Sequence, residues 1–305
     1  MKKQNRFIYL TLLVFLTISA TSCLKDDDSE KREKEKKLIE NYVQVNNITA
    51  TPSATGLYYI PEVEGTGATL GDKDFALIKY KATDLDGKFY DGTDKTLVEL
   101  NKVFPYFLIG GPLKIYNNKN YFYPGVIEGL KNMKEGGKAK LIMPSLLAWN
   151  DYVPRIFEIE LLKVISNPDL YEKQQISNFL DTARTNLSLA DSTNGIYFIN
   201  RFKGTSTVFP ASGDSVKLRY KGYLPDGRIF DKTQDKLFKF RVGMGEAING
   251  MDEGIRKMAI GDSATMVITY KKGYGFDQLV YRGQVMIPYF STLIFEVKLM
   301  DVVKK

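Results

Sequence analysis

The sequence predicts an α+β protein of two tandem domains, each an antiparallel β-sheet with a short α-helix packed against it. The first observation is a repeat: "LIKYKATDLDGKFYDGT" at 77–93 returns as "KLRYKGYLPDGRIFDKT" at 217–233. The second is the alternation of apolar and polar residues within these segments, which is typical of half-buried strands. The third is the length of 305 residues, which suits about two domains.

Residues 1–22 are predicted to be a signal peptide. A basic start, "MKKQNR", precedes an apolar run at 7–18 that is short for a membrane span but typical of a signal-peptide core. Small residues and the sole cysteine, Cys23, follow. The segment resembles the lipobox of bacterial lipoproteins, in which the cysteine is lipidated, although Ala20 replaces the preferred leucine. An ordinary secretory signal with an unmodified cysteine is the alternative.

Residues 23–33 are predicted to be a charged tether that does not pack, because the segment after Cys23 is dominated by Asp, Glu, Lys and Arg. A lipid on Cys23 would hold the chain on a membrane. We therefore expect a protein of the bacterial cell envelope, anchored in the outer membrane and facing the periplasm or the surface. The acidic run resembles surface-export signals, and a solvated linker is the alternative.

A helix is predicted before each copy of the repeat. The first domain, 34–166, begins with a helix near Glu35–Val45, and a linker helix within 167–190 leads into the second domain, 191–305. Apolar residues at helical spacing support the linker helix, which is expected over Tyr171–Leu189. Asn167-Pro168 marks the break between the domains.

The second domain has a strand-rich pattern with one helix. Val216, Leu218 and Tyr220 alternate with charged residues, and Pro225-Asp226-Gly227 signals a turn. Further strands are predicted at 238–242, 264–269 and 292–303, with a short amphipathic helix at 250–258. This order predicts an antiparallel sheet that carries a small helix on one face.

The composition excludes several kinds of chemistry. The chain has no histidine and one cysteine, which excludes histidine-based triads, histidine metal sites, internal disulfides and thiolate zinc clusters. We expect no metal and no cofactor. The net charge of +7 includes three basic residues of the predicted signal peptide, and no basic-aromatic stripe indicates nucleic-acid binding. The 19 tyrosines and 18 phenylalanines, by contrast, can build an apolar pocket.

Residues 213–303 resemble the FKBP-type peptidyl-prolyl cis-trans isomerases. The segments that carry the resemblance are "VKLRYKGYLPDGRIFD", "FKFRVGMGEAINGMDEGIRKMAIGD", "YKKGYG" and "MIPYFSTLIFEVKL", in that order. The resemblance implies a twisted antiparallel sheet wrapped around a short helix. It also implies an enzyme that binds the Xaa-Pro segments of unfolded or exported proteins. Macrolide inhibitors are expected to bind the same enzyme.

The resemblance implies a proline pocket between the sheet and the helix. The positions expected to act on the substrate are Tyr220, Phe230, Asp231, Ile248, Tyr274 and Phe295. The positions expected to bind it are Phe238, Phe240, Ala247, Met251 and Ile287. Met251 replaces the tryptophan often found at the pocket floor, and Ala247 replaces the usual valine.

The resemblance also implies roles for the polar groups. Asp231 acts electrostatically beside the bound carbonyl, the backbone N–H of Ile248 binds that carbonyl, and the Tyr274 hydroxyl gives a second hydrogen bond. No nucleophile or proton shuttle is needed, because a dry apolar site favours the twisted amide over the planar one. The long segment 276–290 is expected to border the substrate.

The first domain keeps only part of this pattern. Tyr80, Tyr90 and Asp91 occupy the positions of Tyr220, Phe230 and Asp231, and Trp149 falls near that of Tyr274. The long segment before the last strand is missing, and extra residues are expected within 110–123. We expect an FKBP-like fold that is poorly active or inactive.

Two functions remain open on the sequence alone. The first is an envelope-anchored prolyl isomerase that assists the folding of exported proteins. The second is a non-catalytic, chaperone-like or partner-binding lipoprotein, which the altered pocket floor and the degenerate first domain favour.

Overall fold

The computed structural model describes residues 26–118, 122–182 and 193–305. The predicted signal peptide, Cys23 and the end of the predicted linker helix lie outside the described residues. No helix within the described ranges is long and apolar enough to cross a membrane.

The chain folds as two units. The first unit contains α1 (Asp26–Val45), β1 (Tyr58–Val63), β2 (Phe75–Thr83), β3 (Phe89–Gly92), α2 (Lys95–Asn101), β4 (Leu113–Tyr116), α3 (Pro124–Leu130), β5 (Lys138–Met143) and β6 (Arg155–Ile165). The second contains α4 (Pro168–Thr182), β7 (Ile196–Phe202), β8 (Ser215–Tyr223), β9 (Ile229–Lys232), β10 (Phe238–Arg241), α5 (Asn249–Ile255), β11 (Ser263–Ile268), β12 (Leu279–Tyr281), β13 (Gln284–Ile287) and β14 (Leu293–Val303). The units share the same order of elements, apart from the extra helix α2 in the first and the extra hairpin β12–β13 in the second.

The sheets of the two units have the same topology. In the first, the strands run β1-β5-β6-β2-β3, and β4 also pairs with β2. In the second, they run β7-β11-β14-β8-β10, and β9 also pairs with β8. The pairings within both sheets are antiparallel. The architecture is therefore α+β with tandem FKBP-like units.

Glycines let α3 and α5 lie close on their sheets. A Cβ at Gly250 would overlap the side chain of Ile268, and a Cβ at Gly254 would overlap Met266, on β11. Gly125 and Gly129 of α3 meet Met143 and Leu141 of β5 in the same way. The close approach brings the first turn of each helix over the concave face of its sheet.

The helix at the start of each unit packs on the back of its sheet through a buried glutamate. Glu35 of α1 accepts a hydrogen bond from the backbone N–H of Ser145, and Glu172 of α4 accepts one from that of Tyr270 at 2.6 Å. Ile39 packs on β5 and β6, and Ile176 packs in the same way on β11 and β14. The repeat therefore includes the leading helix as well as the sheet.

The start of α1 corrects one prediction. Residues 26–33 were expected to belong to the charged tether, but they form the first turns of the helix. Ion pairs one turn apart, Asp27 with Lys31 and Glu30 with Lys34, favour the helix in a segment without apolar residues.

The main insertion of the first unit also differs from the prediction. It lies at 94–112, between Thr93 and β4, where the second unit has only the short segment 234–237. Within the predicted range 110–123, the stretch that runs from β4 to α3 matches the second unit in length. Sequence alone misplaced the insertion because the insert contains its own helix and apolar residues, like the segments that flank it.

The two units pack directly against each other through β13. The backbone N–H of Val285 donates to the carbonyl of Tyr106 at 2.9 Å, and that of Leu108 donates to Val285 at 3.0 Å, in a parallel bridge. The Val285 side chain is buried in the core of the first unit. Lys114 of β4 donates to the carbonyl of Tyr289 at 2.8 Å across the same contact. The segment 276–290 is thus a hairpin that docks on the first unit.

Candidate functional site

A hollow of about 410 Å³ opens between the sheet and α5 of the second unit. Nine of the sequence-predicted positions line it together: Tyr220, Phe230, Asp231, Phe238, Ala247, Ile248, Met251, Tyr274 and Phe295. Gly245 and Glu246 also line it, although sequence reasoning did not single them out. The hollow is therefore mostly aromatic and aliphatic, with a few polar groups at its rim.

The strands place the aromatic rings at contact distance from one another. Tyr220 of β8 lies 5.6 Å from Phe238 and 5.8 Å from Phe295, measured between ring centroids. Phe230 of β9 meets Phe295 edge-on at 5.5 Å. Tyr220 and Phe295 sit on neighbouring strands and face the same side of the sheet. These contacts fix the walls of the hollow before any ligand arrives.

The first turn of α5 supplies the floor and one side. Met251 is buried beneath the hollow, while Ala247 and Ile248 are half-buried at its edge, just before the helix. Ala247 is small, so this side stays open. Tyr274 follows the short helical turn after β11 and remains 44% exposed at the mouth.

Asp231 is a charged residue that lines the hollow beside the aromatic rings. Its carboxylate accepts a hydrogen bond from the Tyr220 hydroxyl and another from the backbone N–H of Lys232 at 2.8 Å. Burial raises the pKa of Tyr220 above its ordinary value, and the hydrogen bond to Asp231 raises it further. Burial and the charge of Asp231 also raise the pKa of Tyr274. Both phenols therefore stay protonated and can donate hydrogen bonds at neutral pH.

Glu246 holds the loop that forms the rim. It accepts hydrogen bonds from the backbone N–H of Arg241 at 2.8 Å and from the Arg241 guanidinium at 2.7 Å. The "GMGEA" sequence gives no periodic signal, so pattern reading could not place this residue at the site. The pairing of a glutamate with an arginine five residues earlier was the only available hint.

Two predicted binding residues do not line the hollow. Phe240 lies deeper along β10, behind Phe238, and is buried in the core. Ile287 is also buried in the core, at the end of β13. Both positions were expected from the resemblance to FKBP enzymes, which does not show how deeply each side chain is buried in this chain.

The matching region of the first unit is filled by its own side chains. Phe122 and Tyr123 stand where the second unit has Ala247 and Ile248. The Phe122 ring packs on Tyr80 at 5.6 Å, and the Tyr123 ring packs on Trp149 at 4.6 Å. Rings thus occupy the space that is open in the second unit.

A buried arginine closes the first unit further. Arg155 is 1% exposed, and its guanidinium lies 4.1 Å above the Tyr90 ring and 4.9 Å from that of Trp149. The matching residue of the second unit is Leu293. The ion pair of Arg155 with Asp151, at 2.6 Å, holds the guanidinium in place.

The carboxylate of Asp91 is internal, unlike that of Asp231. It accepts hydrogen bonds from the Tyr80 hydroxyl at 2.6 Å and from the backbone N–H groups of Gly92 at 2.8 Å and Tyr106 at 3.1 Å. Burial raises the pKa of Asp91, and these hydrogen bonds act against that rise. Tyr106 belongs to the insertion, which therefore covers the carboxylate from the outside.

The matching family model is that of the FKBP-type peptidyl-prolyl cis-trans isomerases, which aligns with residues 67–162 and again with 206–300. The chain belongs to this family. The two matched ranges cover the sheets of the two units, so both are FKBP domains by descent as well as by fold.

Individual FKBP relatives match one domain or both. FK506-binding protein 1A of Aspergillus fumigatus is 41% identical over 105 residues, which are 33% of this chain and 89% of the relative. Peptidyl-prolyl cis-trans isomerase FKBP9 of Bos taurus is 25% identical over 241 residues, which are 75% of this chain and 35% of the relative. The crystal structure of the three FKBP domains of wheat FKBP73 aligns at 19% identity with a TM-score of 0.36, over 83% of this chain and 97% of that one.

Proposed function

We propose that the second FKBP domain is the active prolyl isomerase of this chain and that the first domain is inactive. The observation that carries the proposal is the contrast between the two hollows: one is open and lined with aromatic rings, and the other is filled by Phe122, Tyr123 and Arg155. A substrate ring needs about the space that these side chains occupy in the first domain.

The chemistry suits a site without a nucleophile or a metal. Rotation about an Xaa-Pro bond is slow because resonance gives the C–N bond partial double-bond character, with a barrier of about 18–20 kcal/mol. The twisted amide has lost that resonance and is less dipolar. A water-poor aromatic hollow therefore destabilises it less than the planar amide, which lowers the barrier.

The polar groups at the rim would orient the amide. The backbone N–H of Ile248 stands at the start of α5, beside the open side of the hollow, where it would donate to the substrate carbonyl. Asp231 stabilises the orientation of the Tyr220 hydroxyl and adds negative charge near the ring. The Tyr274 hydroxyl would supply a second hydrogen bond from the mouth. Each group acts by position and charge, and no proton is transferred.

The proposal extends to ligands and location. The 41% identical relative is named for binding FK506, and we assign macrolide inhibitors of this kind to the same hollow here. We also propose that lipidated Cys23 anchors the protein in the bacterial cell envelope, where the substrates are Xaa-Pro segments of exported proteins that are still folding.

The test is the isomerisation of a tetrapeptide with one Xaa-Pro bond by the whole chain. We expect Asp231→Ala to lower kcat/KM by about ten- to a hundredfold, because it removes the negative charge that orients the Tyr220 hydroxyl beside the bound amide; this loss corresponds to about 1.4–2.7 kcal/mol of transition-state stabilisation. Asp235→Ala removes a nearby exposed carboxylate outside the hollow and serves as the matched control. Rates equal to those in buffer at micromolar protein would refute the enzymatic proposal.

A non-catalytic binding role is the second candidate, and the filled hollow of the first domain favours it for that domain. In that case the chain would suppress the aggregation of an unfolding protein, and Asp231→Ala would leave the suppression unchanged. Aggregation of the unfolding protein, measured with the parent chain and with Asp231→Ala, separates the two functions.

A further inference from the structure

The sheet of the second domain carries a recess of about 480 Å³ on the face opposite the hollow. Arg219 and Lys221 line it, and both alternate along β8 with Tyr220, whose ring faces the hollow. Successive side chains of a strand point to opposite faces, so the recess lies on the outer side of the sheet. Its charged lining consists of four basic residues and one acidic residue: Arg201, Arg219, Lys221, Lys298 and Glu296.

The first domain has a recess at the matching place, and the charges of its strands cancel. These strands contribute three lysines and three glutamates to the lining: Lys79, Lys81, Lys138, Glu62, Glu158 and Glu160. Lys81 forms an ion pair with Glu158 at 3.0 Å, and Lys138 forms one with Glu160 at 3.6 Å. The two copies of the fold therefore differ in the charge of their outer faces.

Strand register locates the first exchange of an acid for a base. In the first sheet, Glu160 of β6 lies opposite Lys79 on one side and Lys138 on the other. In the second sheet, Lys298 of β14 holds this position and lies opposite Arg219 of β8. Like charges directly opposite each other destabilise a sheet. A bound anion between Lys298 and Arg219 would remove this repulsion.

The second exchange lies in a β-bulge of the outermost strand. Glu62 occupies the bulge of β1 and forms an ion pair with Lys140 at 3.6 Å. Arg201 occupies the matching bulge of β7, and its Nε donates to the hydroxyl of Thr265 at 2.8 Å. Thr265 is fully buried. This contact orients the guanidinium of Arg201 and leaves its Nη groups available to a ligand.

Three of the four basic side chains have no acidic partner. Within the described ranges, Arg201, Arg219 and Lys298 form no ion pair, and we call these three residues the basic row. The one acid of the lining, Glu296, is already bound to Lys221 at 3.0 Å. The basic row is therefore a concentration of positive charge that the protein itself does not neutralise.

The basic row crosses the sheet and does not follow one strand. Its residues come from β7, β14 and β8, and the strands are neighbours in the order β7-β11-β14-β8. Neighbouring strands lie about 4.8 Å apart, so the row is about 14 Å long. Alternate residues of an extended polypeptide lie about 6.6 Å apart. Three carboxylates at alternate positions therefore match the row, and the planar fork of arginine suits a carboxylate.

The lining favours a polypeptide over a nucleic acid or a lipid surface. Among the described residues that form it, Tyr220 is the only aromatic one, and its ring faces the hollow, so no ring is available to stack on a base. Its apolar residues are Ala264 and Val297, which are both buried and could not enter a lipid layer.

We propose that the basic row binds an acidic segment of a partner polypeptide in an extended conformation. The site is separate from the hollow, because the two lie on opposite faces of the same sheet. It belongs to the second domain alone, because the first domain has glutamates at the positions of Arg201 and Lys298. The inference does not depend on the proposed isomerase activity.

The test measures the binding of a fluorescently labelled nine-residue peptide, with aspartate at alternate positions, to the whole chain. Fluorescence anisotropy should show binding that weakens as salt is added, because salt screens exposed charges. The same peptide with asparagine in place of aspartate should not bind. The variant Arg201→Glu/Lys298→Glu, which introduces the residues of the first domain, should raise Kd by at least about tenfold, because attraction becomes repulsion at two positions. The milder variant Arg201→Gln/Lys298→Gln should bind with an intermediate Kd.

The control is Lys73→Glu/Lys173→Glu, which changes the net charge equally at two exposed lysines outside the recess and should bind like the parent. The glutamate variant of the basic row should keep at least the parental thermal midpoint, because it separates no buried contact and removes a like-charge pair. Equal Kd values of the parent and the glutamate variant, or an equal loss in the control, would overturn the inference. If the parent fails to bind the peptide and the glutamate variant binds phosphatidylglycerol vesicles more weakly than the parent, the basic row would be assigned to a lipid surface, which would also overturn it.

Discussion

The same aspartate has two different environments in the two domains. Asp91 is 2% exposed and accepts three hydrogen bonds within the protein, whereas Asp231 lies at the rim of a hollow and is exposed. The difference arises from Tyr106, whose backbone covers Asp91 and which has no counterpart in the second domain. The aspartate at this position of the repeat therefore has a structural role in the first domain and is accessible to a ligand in the second.

Substitution of the two aspartates should separate stability from activity. Asp91→Ala should lower the free energy of unfolding by about 3 kcal/mol, because it leaves buried donors without an acceptor. Asp231→Ala should change it by less than about 1 kcal/mol, because its site is open to water. Chemical denaturation of both variants measures the difference. Equal losses would show that Asp231 is as structural as Asp91.

A buried lysine makes the contact between the domains depend on pH. Burial and, to a smaller extent, the neighbouring charge of Arg228 lower the pKa of Lys114 to about 7, against the opposite effect of Glu172 and Asp226. The rings of Phe290 and Tyr171 also face its ammonium group. Because the folded pKa is lower than the ordinary value of 10.5, the unfolded chain binds more protons between these values.

The free energy of unfolding should therefore rise with pH between about 7 and 10.5. Below about pH 7, Lys114 is protonated in both states and this pH dependence should level off. From about pH 7 to about pH 9, the free energy of unfolding of the parent should increase by about 2 kcal/mol relative to that of Lys114→Met. The difference between the two proteins cancels the titration of all other groups. Parallel pH profiles would contradict the assignment.

At the scale of elements, the hairpin β12–β13 makes a contact that the sequence did not predict. The sequence indicates its length and its apolar residues, and these suggested a segment bordering the substrate. Val285, however, is buried in the core of the other domain. No local pattern in 276–290 reveals that partner, because the contact depends on an insertion in a distant part of the chain.

Substitution within the hairpin should test its role as a connector. Val285→Asp places a carboxylate in the apolar core of the first domain, at a cost of about 3 kcal/mol or more. We expect calorimetry to show one unfolding transition for the parent and two for this variant, because the domains would no longer unfold together. Val280→Asp, at the exposed cross-strand position, should behave like the parent. A single transition for both variants would show that β13 does not couple the domains.

Other elements were predictable from the sequence. The alternating residues of β8 and β14 gave the strands, and the apolar face of "GMDEGIRKM" gave α5, although it ends at Ile255. The helical start at Asp26 was missed, because its stability comes from ion pairs and not from an apolar face. The site residues were expected from the resemblance to FKBP enzymes, but neither the depth of Phe240 and Ile287 nor the contact between the domains could be predicted.

At the scale of the whole molecule, the two domains share one fold and differ in the side chains at their hollows. The repeated topology shows that one fold was used twice, and the side chains at 122–123 and 247–248 show how the copies differ. Large rings close the first hollow and small or aliphatic residues leave the second open. The insertion at 94–112 and the hairpin then join the copies into one body.

The most direct test fills the hollow of the second domain with the side chains that fill the first and measures prolyl isomerisation. Ala247→Phe/Ile248→Tyr gives the second domain the residues that fill the first, and the first domain shows that the fold accommodates them. We predict that this variant of the whole chain keeps its thermal midpoint within a few degrees but loses at least about a hundredfold in kcat/KM for an Xaa-Pro tetrapeptide, the equivalent of about 3 kcal/mol. The mirror variant Phe122→Ala/Tyr123→Ile should retain the parental rate. An unchanged rate in the filled second domain would contradict the assignment of catalysis to its hollow.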